Sequence, residues 1–285
     1  MLHALTSPVC DTTLTRPRLL NIHSDKQSHT PLAQHTSMRK APVITVIIAF
    51  LLAATAGAAD QRFLTTDPAA IIAMVPPPPA NDSPAGMADL ETVLQVQKDR
   101  TPAQVARAKR VCAHDSLSMG TQVFGPAFNE KNLPRTIAIL TKATNERRPV
   151  VRASKRQWDR VRPYDRGLGV DPCVERQDNT SYPSGHSSAS ALWAVFLGKA
   201  MPEYEILFMN DVRETMWCRV IGGVHYPSDT QAGKFIGTII ANEMLRNKQT
   251  QDAIKEMRAE LLDFLKKNPD AKQRAQALLK KTASK

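Results

Sequence analysis

The sequence predicts an all-α fold, a compact helical bundle, and three observations predict it. Apolar residues recur at helical spacing in one segment after another, as in Ala189, Leu192, Trp193 and Phe196. Alternating runs bounded by turn residues, the mark of strands, are scarce. Prolines stand near the starts of the periodic segments, where a missing N–H costs least. Six or seven helices are expected. With 285 residues and 42% hydrophobic content, the chain can bury one substantial core.

Residues 1–37 are polar, rich in Thr and His, and without periodicity. They read as a non-native or mis-assigned extension, because Met38-Arg39-Lys40 opens a stretch of different character. That short basic segment precedes the apolar run Val43 to Ala54 and the small residues Ala56-Gly57-Ala58-Ala59. The pattern is that of a secretory signal peptide over 38–59, cleaved near Ala58/Ala59. The run is shorter than the roughly 20 residues that a membrane span needs. The mature protein is thus expected to be soluble and exported, with its domain over 60–247.

From Asp60 to Ala80 the chain reads as a loop, with Pro76 to Pro79 a stiff extended run. Asp89 to Asp115 follows as helix, restarted at Thr101-Pro102. Leu133 to Arg147 and Val150 to Val161 are two further helices, with Pro134 and Pro149 near their starts. A central helix begins near His186, and Pro202 to Ile221 and Asp229 to Leu245 complete the set. Residues 248–285 form a Lys-rich tail, expected to be a solvated helical face.

The net charge is +11, from 38 Lys+Arg against 27 Asp+Glu. A basic surface favours anionic substrates but cannot choose among them. Removal of the leader leaves His114, His186 and His225 as the histidines, and Cys112, Cys173 and Cys218 as the cysteines. Export allows one disulfide and one free thiol, and spacing does not say which pair. No Cys-x-x-Cys or His-x-x-x-His array supports a zinc site. His114, at a helix end, reads as structural.

Three segments carry chemistry. In the first, Lys155 and Arg162 lie seven residues apart before Pro163, nearly two helical turns, so both cations share one face. In the second, Pro183-Ser184-Gly185-His186 feeds a helix N-terminus, whose free N–H groups and positive dipole end suit an anion such as phosphate. Ser184 and His186 add donors there, and Gly185 lets the backbone approach a ligand closely. In the third, Arg219 closes a helix before Gly222-Gly223, and His225 precedes Asp229 by four residues. A carboxylate at that spacing can hold one imidazole nitrogen and leave the other unprotonated, as a nucleophile requires. Taken singly, the basic pair is a solvated face and the His–Asp pair is structural.

Together, Lys155-x6-Arg162-Pro163, Pro183-Ser184-Gly185-His186 and Arg219-x5-His225-x3-Asp229 resemble the three-part signature of the type 2 phosphatidic acid phosphatase (PAP2) superfamily. Cys218 stands where that pattern usually has Ser. Within the superfamily the leader, the Pro-rich segment and the Asp89 to Asp115 helix look most like the bacterial class A nonspecific acid phosphatases. The resemblance implies a periplasmic enzyme that hydrolyses phosphate monoesters. His225, oriented by Asp229, would be the nucleophile, His186 the proton donor, and Lys155, Arg162, Ser184, Gly185 and Arg219 the phosphate cradle. It implies no metal and no cofactor. The partners expected are small-molecule phosphate monoesters, with no specific nucleic acid and no stable membrane insertion; homo-oligomerisation stays open. Vanadium haloperoxidases and lipid-phosphate phosphatases resemble the same signature, and a phosphate-binding protein without turnover is the non-enzymatic alternative.

Overall fold

Proline sets most of the helix boundaries in the computed structural model, which describes residues 62–284. The signal peptide expected over 38–59 and the extension expected over 1–37 lie outside those residues. Among the described residues there are ten α-helices: α1 Pro68–Ala73, α2 Pro84–Asp99, α3 Pro102–Cys112, α4 Ser116–Phe124, α5 Pro134–Trp158, α6 Gly185–Ala200, α7 Glu205–Ile221, α8 Pro227–Leu245, α9 Lys248–Lys267 and α10 Pro269–Ala283. Single 3-10 turns cover Pro163–Arg166 and Pro202–Tyr204, and no strand occurs among the described residues. Six of the ten helices and both 3-10 turns start on proline, whose fixed φ suits a first turn. Asp67, Ser83 and Thr101, each just before such a proline, cap the free N–H groups behind it.

The count exceeds the six or seven expected for identifiable reasons. Short α1 lies in the stretch read as loop, and α4, nine residues long, follows an Asp115 cap. Conversely, the two helices expected on either side of Pro149 are one, α5, with Pro149 inside it. Proline there removes the bond to the carbonyl of Asn145, but Asn145 and Pro149 are both exposed, so water can solvate that carbonyl. Burial of Val150, Val151 and Ser154 just beyond carries the helix through.

Helix α6 is the centre of the bundle, with 12 of its 16 residues buried. It packs most extensively on α8 and α7, with α5 and α9 also against it. The α6–α8 contact is close because α8 has no side chain at Gly233 and Gly237; a Cβ at Gly237 would lie 2.2 Å from the carbonyl oxygen of Ser188. This close approach brings the N-terminus of α6 beside the N-terminus of α8, where the Ser184 N–H donates to the carbonyl of Asp229 at 2.9 Å.

The tail is not merely a solvated face. Ile254, Met257, Leu261, Phe264 and Leu265 of α9, with Ala271 and Ala275 of α10, join the principal core. α5 has no side-chain cap of its own, and Glu260 of α9 supplies one, accepting from the N–H groups of Arg135 at 3.0 Å and Thr136 at 2.7 Å. No helix of the described residues is long and apolar enough to cross a membrane.

Candidate active site

Lys155, Arg162, Gly185, His186, Arg219 and His225 line one cavity of about 620 Å³. Four elements meet there. The last turns of α5 supply Lys155, the N-terminus of α6 supplies Gly185 and His186, the end of α7 supplies Arg219, and the turn before α8 supplies His225. Arg162 arrives differently from the expectation. α5 ends at Trp158, Asp159 turns the chain in the left-handed region (φ 41°), and Arg162 sits in extended backbone before the 3-10 turn. The two cations share a cavity but not a helix face.

His225 is buried, and its two nitrogens have different partners. Nδ1 lies 3.2 Å from Oδ2 of Asp229, while Nε2 is 3.3 Å from Nη1 of Arg162. A guanidinium can only donate, so Nε2 must carry the lone pair and Nδ1 the hydrogen. Asp229 is held in turn: Oδ2 also accepts from the N–H of Tyr226 at 2.9 Å and from the Ser181 hydroxyl, and Oδ1 accepts from Arg160 at 2.7 Å. Burial, with the neighbouring Arg162 and Lys155 charges, holds the His225 imidazole well below its usual pKa. The ring is therefore neutral, with Nε2 unprotonated.

The cations around it are under-compensated. Arg219 is fully buried; Nη1 contacts the Cys112 sulfur, while Nε and Nη2 have no partner among the described residues. Lys155 points its ammonium at the carbonyls of Thr180 and Ser181, and burial, reinforced by Arg162, lowers its pKa to about 7. Arg162 donates to the Asn179 carbonyl at 2.6 Å, the Asn179 side chain at 2.9 Å and the Val224 carbonyl at 2.6 Å. Three buried cations with no carboxylate of their own are what an anion site requires.

His186 also has an orienting partner, the Cys112 carbonyl at 3.2 Å from Nε2. A carbonyl only accepts, so Nε2 bears the hydrogen and Nδ1 remains to take or give a proton. Burial, with Arg219 next, lowers its pKa to about 3. Ser184 is fully buried as the cap of α6, its oxygen accepting from the Ser187 N–H at 3.3 Å, and it is not among the cavity residues. A Cβ at Gly185 would meet nothing within 4 Å, so it would project into the space the cavity offers.

Sequence reasoning missed Arg147, Arg160, Asp89 and the Cys112 contacts. Arg160, which the sequence did not single out, is buried against Asp229 and, at 3.0 Å, Asp89 of α2, with its guanidinium 4.0 Å from the Tyr226 ring. In the sequence nothing local distinguishes it from Arg152 and Arg156. Buried Arg147 donates to Ser188 Oγ and, at 3.3 Å, to the Gly185 carbonyl. Its position eight residues, about two helical turns, before Lys155 on α5 was the available signal. Cys112, Cys173 and Cys218 are all free thiols, so no pair forms. The Cys112 sulfur is engaged by Arg219, and the Cys173 thiol donates to the carbonyl of Ile221 at 3.5 Å. Cys218 packs with Ala108, Val111 and Ile221 away from the cavity, so the departure from Ser alters a small buried contact. His114 lies 3.5 Å from the Gln122 side chain and not in the main cavity, and no group of three or more metal-ligating side chains occurs among the described residues.

The chain is similar to known proteins in sequence and in fold. The chain carries a PAP2 superfamily domain over residues 134–252, which contain every one of the three signature segments. It is similar to a non-specific acid phosphatase of Salmonella typhi, 29% identical over 192 residues, covering 64% of this chain and 76% of that protein. A non-specific acid phosphatase of Providencia stuartii is 26% identical over 169 residues, covering 57% and 68%. In fold, the chain is similar to a bacterial vanadium-dependent chloroperoxidase in its holo form, with a TM-score of 0.54 at 14% identity, covering 66% of this chain and 53% of that one. The chain thus spans about half the length of that peroxidase.

Proposed function

We propose that this protein is an exported acid phosphatase that hydrolyses phosphate monoesters through a phosphohistidine, without a metal. The reading rests on one observation above all: the unprotonated Nε2 of His225 borders a cavity that also holds the Lys155, Arg162 and Arg219 cations. The names of the acid phosphatase relatives support it.

In the proposed reaction the phosphoryl oxygens lie among Lys155, Arg162 and Arg219, with the Gly185 N–H at the α6 N-terminus. Nε2 of His225 attacks phosphorus in line; the N–P bond forms as the P–O bond to the alcohol breaks. The developing charge on His225 is stabilised through Nδ1–H by Asp229. His186, protonated once the substrate dianion offsets the surrounding cations, gives its proton to the leaving alkoxide. Neutral His186 then takes a proton from water, which attacks phosphorus and frees His225 and inorganic phosphate. Cationic side chains thereby carry the charge neutralisation that Mg²⁺ provides in other phosphoryl-transfer enzymes.

Rapid quenching with ³²P-labelled substrate tests this. Label should appear on His225 in an acid-labile, base-stable linkage, and His225→Ala should abolish it. Activity within tenfold of wild type in that variant would assign attack to another group. A phosphate-binding protein would bind orthophosphate yet release none from p-nitrophenyl phosphate.

A further inference from the structure

The cavity is more cationic than one phosphoryl group needs. Beyond Lys155, Arg162 and Arg219 at the nucleophile, it is lined by Arg148, Arg152 and Arg156, against two carboxylates, Asp159 and Asp178. These arginines stand four residues apart on α5, so they form a single row along one face, each about 6 Å further along the axis. All three are exposed. Arg152 and Arg156 make no hydrogen bond or ion pair among the described residues, and Arg148 reaches only the side chain of Asn145, at 3.0 Å. Like charges at this spacing repel, which costs stability with no compensating contact in the protein.

A second observation points to the same ligand chemistry. Arg147, beside the row, is buried and has no carboxylate partner, and its Nε is unpaired. It lines the main cavity and also a smaller one of about 290 Å³ that shares Arg148, Gly185 and His186 with it. Arg147 and Arg148 therefore line both cavities, beside the row and beside the residues around the nucleophile.

We infer that the Arg148–Arg152–Arg156 row is a second anion subsite, and that the preferred substrates carry another phosphate or comparable anionic group besides the phosphoryl group removed. The inference rests on the phosphatase reading above and narrows its substrate class to bisphosphates and related polyanions. The row lines a concave cavity together with the nucleophile, a shape that admits a small molecule reaching both. The scissile phosphoryl sits at His225, and the row holds the second group and orients the leaving portion.

The test compares fructose 1,6-bisphosphate, fructose 6-phosphate and p-nitrophenyl phosphate as substrates of the wild type and of the triple variant Arg148→Gln/Arg152→Gln/Arg156→Gln. The wild type should favour the bisphosphate in kcat/KM by roughly tenfold or more, and added salt should erode that preference. The variant should bring the bisphosphate down to the monophosphate while leaving p-nitrophenyl phosphate unchanged. Methylenediphosphonate should likewise inhibit the wild type more strongly than methylphosphonate, and the variant should lose the difference. Equal wild-type rates on the two sugar phosphates overturn the subsite while leaving the phosphatase reading intact. Equal losses on all three substrates overturn it too, since the row would then act only through general charge. The same holds if the variant loses binding to phosphatidylglycerol vesicles but keeps its preference for the bisphosphate. Absence of turnover on every substrate overturns the phosphatase reading itself, and this inference with it.

Discussion

Arg160 and Asp229 form a buried ion pair, Nη1 to Oδ1 at 2.7 Å, and it ties the orientation of the candidate nucleophile to a helix that touches no part of the cavity. The other oxygen of Asp229 meets His225, and the other terminal nitrogen of Arg160 meets Asp89 on α2. Asp89 also accepts from the N–H of Ser228 at 3.2 Å, at the start of α8. Two carboxylates and one guanidinium therefore surround the turn from which His225 projects.

Removing Arg160 should leave Asp89 and Asp229 buried without their cation. Breaking such a network from one side typically costs about 3–5 kcal/mol. Arg160→Met should lose stability on that scale in urea unfolding, and its turnover should fall even under conditions where it is fully folded. Arg160→Lys should recover part of the stability, because a single ammonium cannot serve both carboxylates. A loss in Arg160→Met below about 1 kcal/mol, the range of surface pairs, would mean that the network contributes little.

His186 and His225 should separate by leaving group. An alkyl alkoxide departs poorly without a proton, whereas nitrophenolate departs readily. His186→Ala should therefore depress kcat/KM for alkyl phosphates more than for p-nitrophenyl phosphate, by a gap on the scale of roughly 10² to 10⁴-fold. His225→Ala should harm both alike. Equal losses on both substrates in His186→Ala would assign His186 to phosphate binding rather than proton transfer.

Most of the longer helices and the three signature segments were legible because their signals are local: apolar spacing, prolines, and fixed offsets such as His225 to Asp229. The residues that sequence reasoning missed are joined over long separations. Arg160 bonds to Asp229 69 residues away and to Asp89 71 residues away, and nothing local marks it among its arginine neighbours. The tail misled for a related reason. α9 is amphipathic, and its many lysines describe its outer face while Met257, Leu261 and Phe264 describe the face that closes the core. Pro149 misled in the opposite sense, because its exposed position inside α5 depends on which face of that helix turns to solvent.

Anion binding should be coupled to proton uptake. Burial, with Arg162 second, lowers the Lys155 pKa to about 7, so in the free enzyme this side chain is largely neutral above that pH. A bound anion favours the charged form and raises the pKa again, so the complex holds more protons than the free protein between the two values. Sulfate suits the measurement because its own charge is fixed in this range. Calorimetric titration near pH 8 in buffers of different ionisation enthalpy should show uptake on sulfate binding, and Lys155→Met should reduce it. The linked stability effect has the same sign. With the folded pKa below the unfolded value, the unfolded state binds more protons between pH 7 and 10.5, so this group makes the free protein more stable as pH rises through that window. Buffer-independent heats in the wild type would show that Lys155 is already charged in the free protein.

Two glycines on facing helices should respond in opposite ways to the same methyl group. At Gly185, the first residue of α6, a Cβ meets no protein atom within 4 Å, and alanine is intrinsically the better helix residue by about 1 kcal/mol or less. Gly185→Ala should therefore melt no lower than wild type. Its Cβ instead enters the cavity beside His186, where a displacement of the phosphoryl group by even about 1 Å can cost on the order of 10²-fold in rate. At Gly237 a Cβ would lie 2.2 Å from the carbonyl oxygen and 2.8 Å from Cα of Ser188, so α6 and α8 would have to part. Gly237→Ala should lose roughly 1–3 kcal/mol of stability, the usual scale of overpacking. It should also lose activity per folded molecule, because His186 and Asp229 ride on the two helices it separates. Thermal melts with kcat/KM on p-nitrophenyl phosphate distinguish the cases: an unstable Gly185→Ala, or a Gly237→Ala as stable as wild type, would contradict this placement of the two helices.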